Sequence, residues 1–222
     1  MSMPHPTRRL FLWLGLFGLA FGYIEAAVVV YLREPYYPGG FHFPLATIPS
    51  RLVWTEVGRE AATLLLLLSL SLLAARSRLR RFAVFAFCFG VWDLVYYLAL
   101  KLLIGWPASL LDWDVLFLIP LPWTSPVLAP MLVSLALIAA AAIILRWPED
   151  RPASVRPGDW LVEVLAGLVI IASFLWNVPA LQTNEAPDYY PWWLFSLGLL
   201  IGIGWFVWRL LHQRQETPAA NR

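Results

Sequence analysis

The sequence predicts an all-α, polytopic integral membrane bundle of about six transmembrane helices forming a single domain, and three observations carry that expectation. Sixty per cent of the residues are apolar and only 14 % are charged, with a mean hydropathy of +0.69, a composition that needs lipid as its solvent. The apolar residues fall in long runs, each near the roughly 20 residues that carry a helix across hydrocarbon. The arginines sit mostly at the ends of those runs rather than in a stripe with interleaved polar residues.

Taken in order, the spans cover residues 10–32, 52–75, 82–104, 127–145, 160–176 and 192–211. The first follows Arg8 and Arg9 as a signal peptide would, but its apolar stretch outruns the roughly 7 to 15 residues of a cleavable one, so it is read as a retained helix. The leucine run at 64–68 in the second is read as a lipid-facing surface. Between the third and fourth spans, the stretch 107–122 is too short to cross and is bounded by Pro107, Pro120 and Pro122. It is read as a short interfacial helix at about 108–118 on the outer side, started by Ser109 and Asp112 as a capping box. Gly18 and Gly22 in the first span, Gly198 and Gly202 in the sixth and Ala139 to Ala142 in the fourth allow close backbone approach. Such faces suit packing within the bundle or a homo-oligomer equally.

Orientation follows from the basic residues, because short cytoplasmic loops retain Lys and Arg. Arg8, Arg9, Arg76, Arg78, Arg80, Arg81, Arg146, Arg151, Arg156, Arg209, Arg214 and Arg222 all fall on one side of a six-span topology. The other side holds Arg33 and Arg51 in its loops, with Arg59 and Lys101 close to it. The expectation is a multi-pass protein of the inner (cytoplasmic) membrane with both termini in the cytoplasm. The outer loops carry Tyr36, Tyr37, His42, Trp106, Trp113, Trp123, Tyr189, Tyr190, Trp192 and Trp193, rings that favour the headgroup level.

Several function classes fall away. A net charge of +2 without a basic stripe argues against nucleic acid as a partner. Cys88 is the only cysteine, so no internal disulfide or cysteine metal cluster forms. The chain has no G-x-x-x-x-G-K-[ST], G-x-S-x-G or H-E-x-x-H, and so no local signature of nucleotide hydrolysis, serine-hydrolase or zincin chemistry. His5, His42 and His212 offer no paired spacing for zinc or haem. No cofactor and no resident metal are expected.

What remains is a set of ionisable residues inside spans, where each is costly unless paired or hydrated: Glu25, then Glu56, Arg59 and Glu60, then Asp93 and Lys101. Their helical spacings put Glu25 on the stripe of Gly18, Gly22 and Val29, and Asp93 on the stripe of Ala86, Gly90, Tyr97 and Lys101. All fall in the outer half of the membrane. The expected site is an outward-facing carboxylate pocket among the first three spans, with Glu25, Glu56, Glu60, Asp93 and Tyr97 as ligand- or cation-binding groups and Arg59, Tyr96 and Lys101 supporting them. Oxygen donors suit a hard cation or a proton. The leading reading is therefore binding or transport of a cation, a proton-coupled solute or a small cationic ligand. One alternative is a membrane enzyme acting on a lipid or isoprenoid by carboxylate acid/base chemistry. Another is an accessory or assembly subunit whose acids are internally paired.

Overall fold

Lipid offers no hydrogen bonds to a backbone, so an apolar run that enters it must close its own ladder as a helix. The computed structural model describes residues 5–147 and 155–216, with side chains for 7–147 and 155–212. Arg151 and Arg222 lie outside the described residues, as do the side chains of His5 and Arg214. The elements are α1 His5–Tyr36, α2 Ser50–Ala74, α3 Arg78–Ile104, β1 Trp113–Phe117, β2 Trp123–Pro126, α4 Leu128–Arg146, α5 Pro157–Phe174, α6 Val178–Gln182 and α7 Trp192–Glu216. All the helices except α6 are long and apolar enough to cross a membrane, so the all-α membrane bundle read from the sequence stands. Six crossings bring the start of α1 and the end of α7 to one end of the bundle, with Arg76 of the α2–α3 connection and Arg78, Arg80 and Arg81 of the first turn of α3. The hairpin β1–β2 marks the other.

α3 is the centre. More than half of its spanning window is buried (56 %), against 17 to 28 % for the other five, and it packs on α1, α2 and α4. Close approach is built from glycine. A Cβ at Gly18 would meet the Val91 side chain at 2.7 Å, and one at Gly22 would meet the Trp92 carbonyl oxygen at 2.6 Å. Gly90 lies as tightly against Ser134 and Ile138 of α4. Gly198 of α7 does the same against Ala166 and Ile170 of α5. These stripes are therefore used inside the chain. Leu14, Leu67, Ala83, Val84, Cys88, Ala141 and Leu145 fill the core between α1, α2, α3 and α4. α5 and α7 form a second unit, packed mainly on each other and joined to the rest through α4 and β2.

The stretch read as an interfacial helix at 108–118 is corrected. The capping chemistry is present, with Asp112 Oδ2 accepting from the Ala108 and Ser109 amides at 2.7 and 3.2 Å, but it closes a single turn. Trp113–Phe117 then pairs antiparallel with Trp123–Pro126, with Asp114 opposite Ser125 and Val115 opposite Thr124. Pro120 and Pro122 have no N–H to continue a helix, and a run of aromatic and β-branched residues fits a pleated surface. The ladder satisfies backbone groups that a helix broken by proline would leave unpaired.

Candidate functional site

Counted from the hairpin end, Glu60 lies ten residues into α2, while Glu25 and Asp93 lie eleven residues inside the ends of α1 and α3. At about 1.5 Å per residue all three stand at one level, about 15 to 17 Å in. They line one cavity there but do not meet at one point. The Arg59 guanidinium takes two acids, Glu25 through Nη1 and Glu56 through Nε, the latter at 2.7 Å. Glu60 turns toward the hairpin, where both its oxygens accept from the Leu118 amide at 3.1 and 2.9 Å. Asp93 turns toward α4 and accepts from Ser134 Oγ at 2.8 Å. Apart from the Arg59–Glu56 pair within α2, each bond ties two elements together: α1 to α2, α2 to the hairpin, α3 to α4. Among the described residues no three His, Cys, Asp or Glu side chains gather closely enough to hold a metal ion.

The cavity is larger than a pocket among the first three spans and is centred elsewhere. About 750 Å³ in volume, it fills the gap between α3 and α4 on one side and α5 and α7 on the other, roofed by Val115, Leu116, Phe117 and Trp123 of the hairpin. It follows α3 from Leu79 to Tyr97, about 27 Å of helix, close to the ~30 Å of a bilayer's hydrocarbon. Its middle is lined by apolar side chains such as Phe89, Leu137, Ala140, Ile170 and Phe206. Polar groups stand at its two ends. At the hairpin end these are Glu25, Arg59, Glu60, Asp93, Tyr96 and Tyr97; at the arginine end they are Asp159, Glu163 and Arg209.

Lys101 does not belong to this lining, contrary to expectation. Its Nζ donates to the carbonyls of Gly105 and Pro107 at 3.2 and 2.8 Å, closing the end of α3 where Gly105 takes a left-handed φ of 70°. Glu56 also stays off the wall, held by Arg59. Tyr96 and Tyr97 stand edge to face, 4.9 Å between ring centres.

Two clusters were not visible in the sequence pattern. Arg33, on the last turn of α1, donates through Nη2 to Asp114 Oδ1 at 2.8 Å, and both residues are buried. Its guanidinium lies 4.2 Å from the centre of the Phe41 ring and 4.0 Å from that of Trp106. Burial holds the Asp114 carboxyl above the usual aspartate range, opposed by Arg33, the Val115 amide and Tyr97. Its Oδ2 has no hydrogen-bond partner among the described residues. At the arginine end, Asp159 Oδ1 meets Arg209 Nε at 3.0 Å and Trp205 Nε1 at 3.2 Å, while Oδ2 caps α5 on the Arg156 amide at 2.8 Å. Glu163 stands one turn along α5. It sits inside the fifth span, and the cost of burying a charge there is the signal that singles it out.

The aromatic residues of the hairpin end are mostly packing material. Tyr190 is buried among Phe174, Phe195 and Trp113, and its hydroxyl is 3.0 Å from Ser173 Oγ. His42 is exposed on the first loop, away from the cavity lining.

The fold and this cavity define a class, the multi-span helical membrane protein with a mainly apolar chamber between its helices. Comparison with protein-family models, with curated proteins and with solved structures finds no match for the chain.

Proposed function

We propose that the chain is a membrane-embedded binding protein for a lipid-like amphipathic molecule, held with its apolar part between the α3–α4 and α5–α7 walls and its polar part at the hairpin end. One observation carries the reading: an apolar chamber of about 750 Å³ that runs nearly the length of the spans and has polar groups only at its ends. That volume falls within the range of about 300 to 1,000 Å³ typical of small-molecule sites. A free hydrated ion would find little use for so much apolar wall, and the acids are dispersed to separate partners rather than gathered as an ion cage. The enzymatic alternative shares this cavity but adds a bond-breaking step for which the geometry makes no demand. The arginine distribution favours the hairpin end as the outer one.

The test is photolabelling in reconstituted vesicles with an alkyl chain bearing a diazirine. Labelling that unlabelled lipid competes away should map to Phe85 and Phe89 of α3, Ala140 of α4 and Gly167 of α5, all on the cavity wall. Labelling confined to outward-facing residues such as Leu73 and Leu102, with none that saturates, would remove the reading.

A further inference from the structure

We infer that the molecule held in this chamber carries a cationic, ammonium-type head seated at the hairpin end on Glu60 and Asp93; the inference rests on the chamber being a lipid-like binding site. The charges at that end do not balance. Five carboxyl groups, those of Glu25, Glu56, Glu60, Asp93 and Asp114, share the guanidinium groups of Arg33 and Arg59. Arg59 is taken by Glu25 and Glu56 and Arg33 by Asp114. Lys101 is turned away to backbone carbonyls. Among the described residues Glu60 and Asp93 thus accept hydrogen bonds from neutral donors, the Leu118 amide and the Ser134 hydroxyl, and Glu60 has only a share of the Arg59 charge that Glu25 and Glu56 already engage. A carboxylate has about four acceptor sites, so both retain capacity, and both line the chamber.

A second observation points to a ligand there. Trp92, 6 % exposed, lines the same chamber, and its indole N–H, itself buried, has no acceptor among the described residues. The Trp123 N–H, across Phe117 from it, has none either. A buried donor left unpaired costs free energy that a bound acceptor recovers. The chemistry wanted is therefore positive charge for two carboxyls, with an oxygen acceptor close by for the indoles, as in an amino alcohol or an aminoalkyl ester. The Tyr96 and Tyr97 rings add faces that attract an ammonium group. A carboxylate head would lie among acids whose guanidinium partners are already committed. A neutral head would leave Asp93 without a counter-charge and Glu60 with only its share of Arg59.

The experiment compares three competitors of the photolabel at neutral pH: a long-chain primary amine, its N-acetyl derivative and the fatty acid of equal length. The amine should displace the label about thirtyfold better than the amide or more, the size of effect expected for a desolvated charge pair. Combining Glu60→Gln with Asp93→Asn should erase that preference. Equal displacement by all three, or a preference for the fatty acid, overturns the inference and leaves the apolar chamber as a binding site. A preference that is lost in Glu163→Gln but kept in the double variant moves the head to the arginine end and overturns it too. Failure of every competitor with wild-type protein instead brings down the chamber as a lipid-like site. The competitor series needs only the wild-type protein, so a variant that does not fold leaves the main comparison intact. Replacing the single-chain amine by vesicles of a lipid with a primary amine head, with and without N-acylation, separates a membrane lipid from a free amphipath as the source of the same ammonium chemistry.

Discussion

Arg33 is held by three contacts: the rings of Phe41 and Trp106, which pack edge to face on each other, and the Asp114 carboxylate. Removing one member of a buried pair leaves an uncompensated charge and typically costs about 3 to 5 kcal/mol, whereas replacing both by neutral groups of similar volume is often close to neutral. Arg33→Met and Asp114→Asn should each lower the unfolding midpoint in a neutral detergent, and the double variant should recover much of the loss. Additive losses would show that the two act separately. The pH dependence has a definite sign. Burial already raises the Asp114 pKa in the fold above its ordinary 3.8, so the stability tied to its protonated form is fully present below that value. It is lost as pH rises through the folded value. Arg33→Met removes the strongest opposing influence and should push that folded value higher. The variant should therefore be closest to wild type in acid and fall further behind as pH increases. A midpoint gap that is flat with pH would contradict this.

Glycine decides how the elements approach one another. In Gly22→Ala the added methyl group would meet the Trp92 carbonyl oxygen at 2.6 Å and the Val95 Cβ at 2.8 Å, so α1 must back away from α3. Overpacking of this kind costs about 1 to 3 kcal/mol. Gly15→Ala, about two turns earlier on α1 with nothing within 4 Å, should be neutral or gain from the better helix propensity. Thermal unfolding of the two variants side by side reads the difference, and equal midpoints would mean that the α1–α3 contact is looser than described. The same elements show what the sequence made legible. Spans are set by length and apolarity, so all six were readable within a few residues, and the close-packing stripes of Gly18 and Gly22 were readable from spacing. The hairpin was not, because a short apolar run between prolines has no periodicity that separates a strand from a helical turn. Glu25, Glu60 and Asp93 were readable as inward-facing and within one half of the spans, but not as standing at one level. Their separate partners were not, since Ser134, Leu118 and the residues of α5 and α7 enter the site only through tertiary packing. The Arg33–Asp114 pair joins residues 81 positions apart, and no local pattern announces it.

At the scale of the molecule the site is a gap between two bodies, α1 to α4 on one side and the α5–α7 pair on the other, bridged by the hairpin and by α4. A gap can be filled without disturbing either body, provided that the side chain starts from open space. Gly167 of α5 is such a position: it lines the chamber, and a Cβ there meets nothing within 4 Å. Gly198 of α7 also lines the chamber but faces the backbone and side chain of α5 at 2.8 to 3.0 Å. Gly167→Phe should therefore weaken amphipath binding by about tenfold or more, since it takes volume from a site whose affinity comes from apolar contact, while leaving the unfolding midpoint unchanged or raised. Gly198→Leu should lower the midpoint by separating α5 from α7. Saturable photolabelling and thermal unfolding on the same two proteins give the comparison. If Gly167→Phe is folded and still binds with wild-type affinity, the ligand does not occupy the space between the two bodies, and the chamber is a packing gap rather than a site.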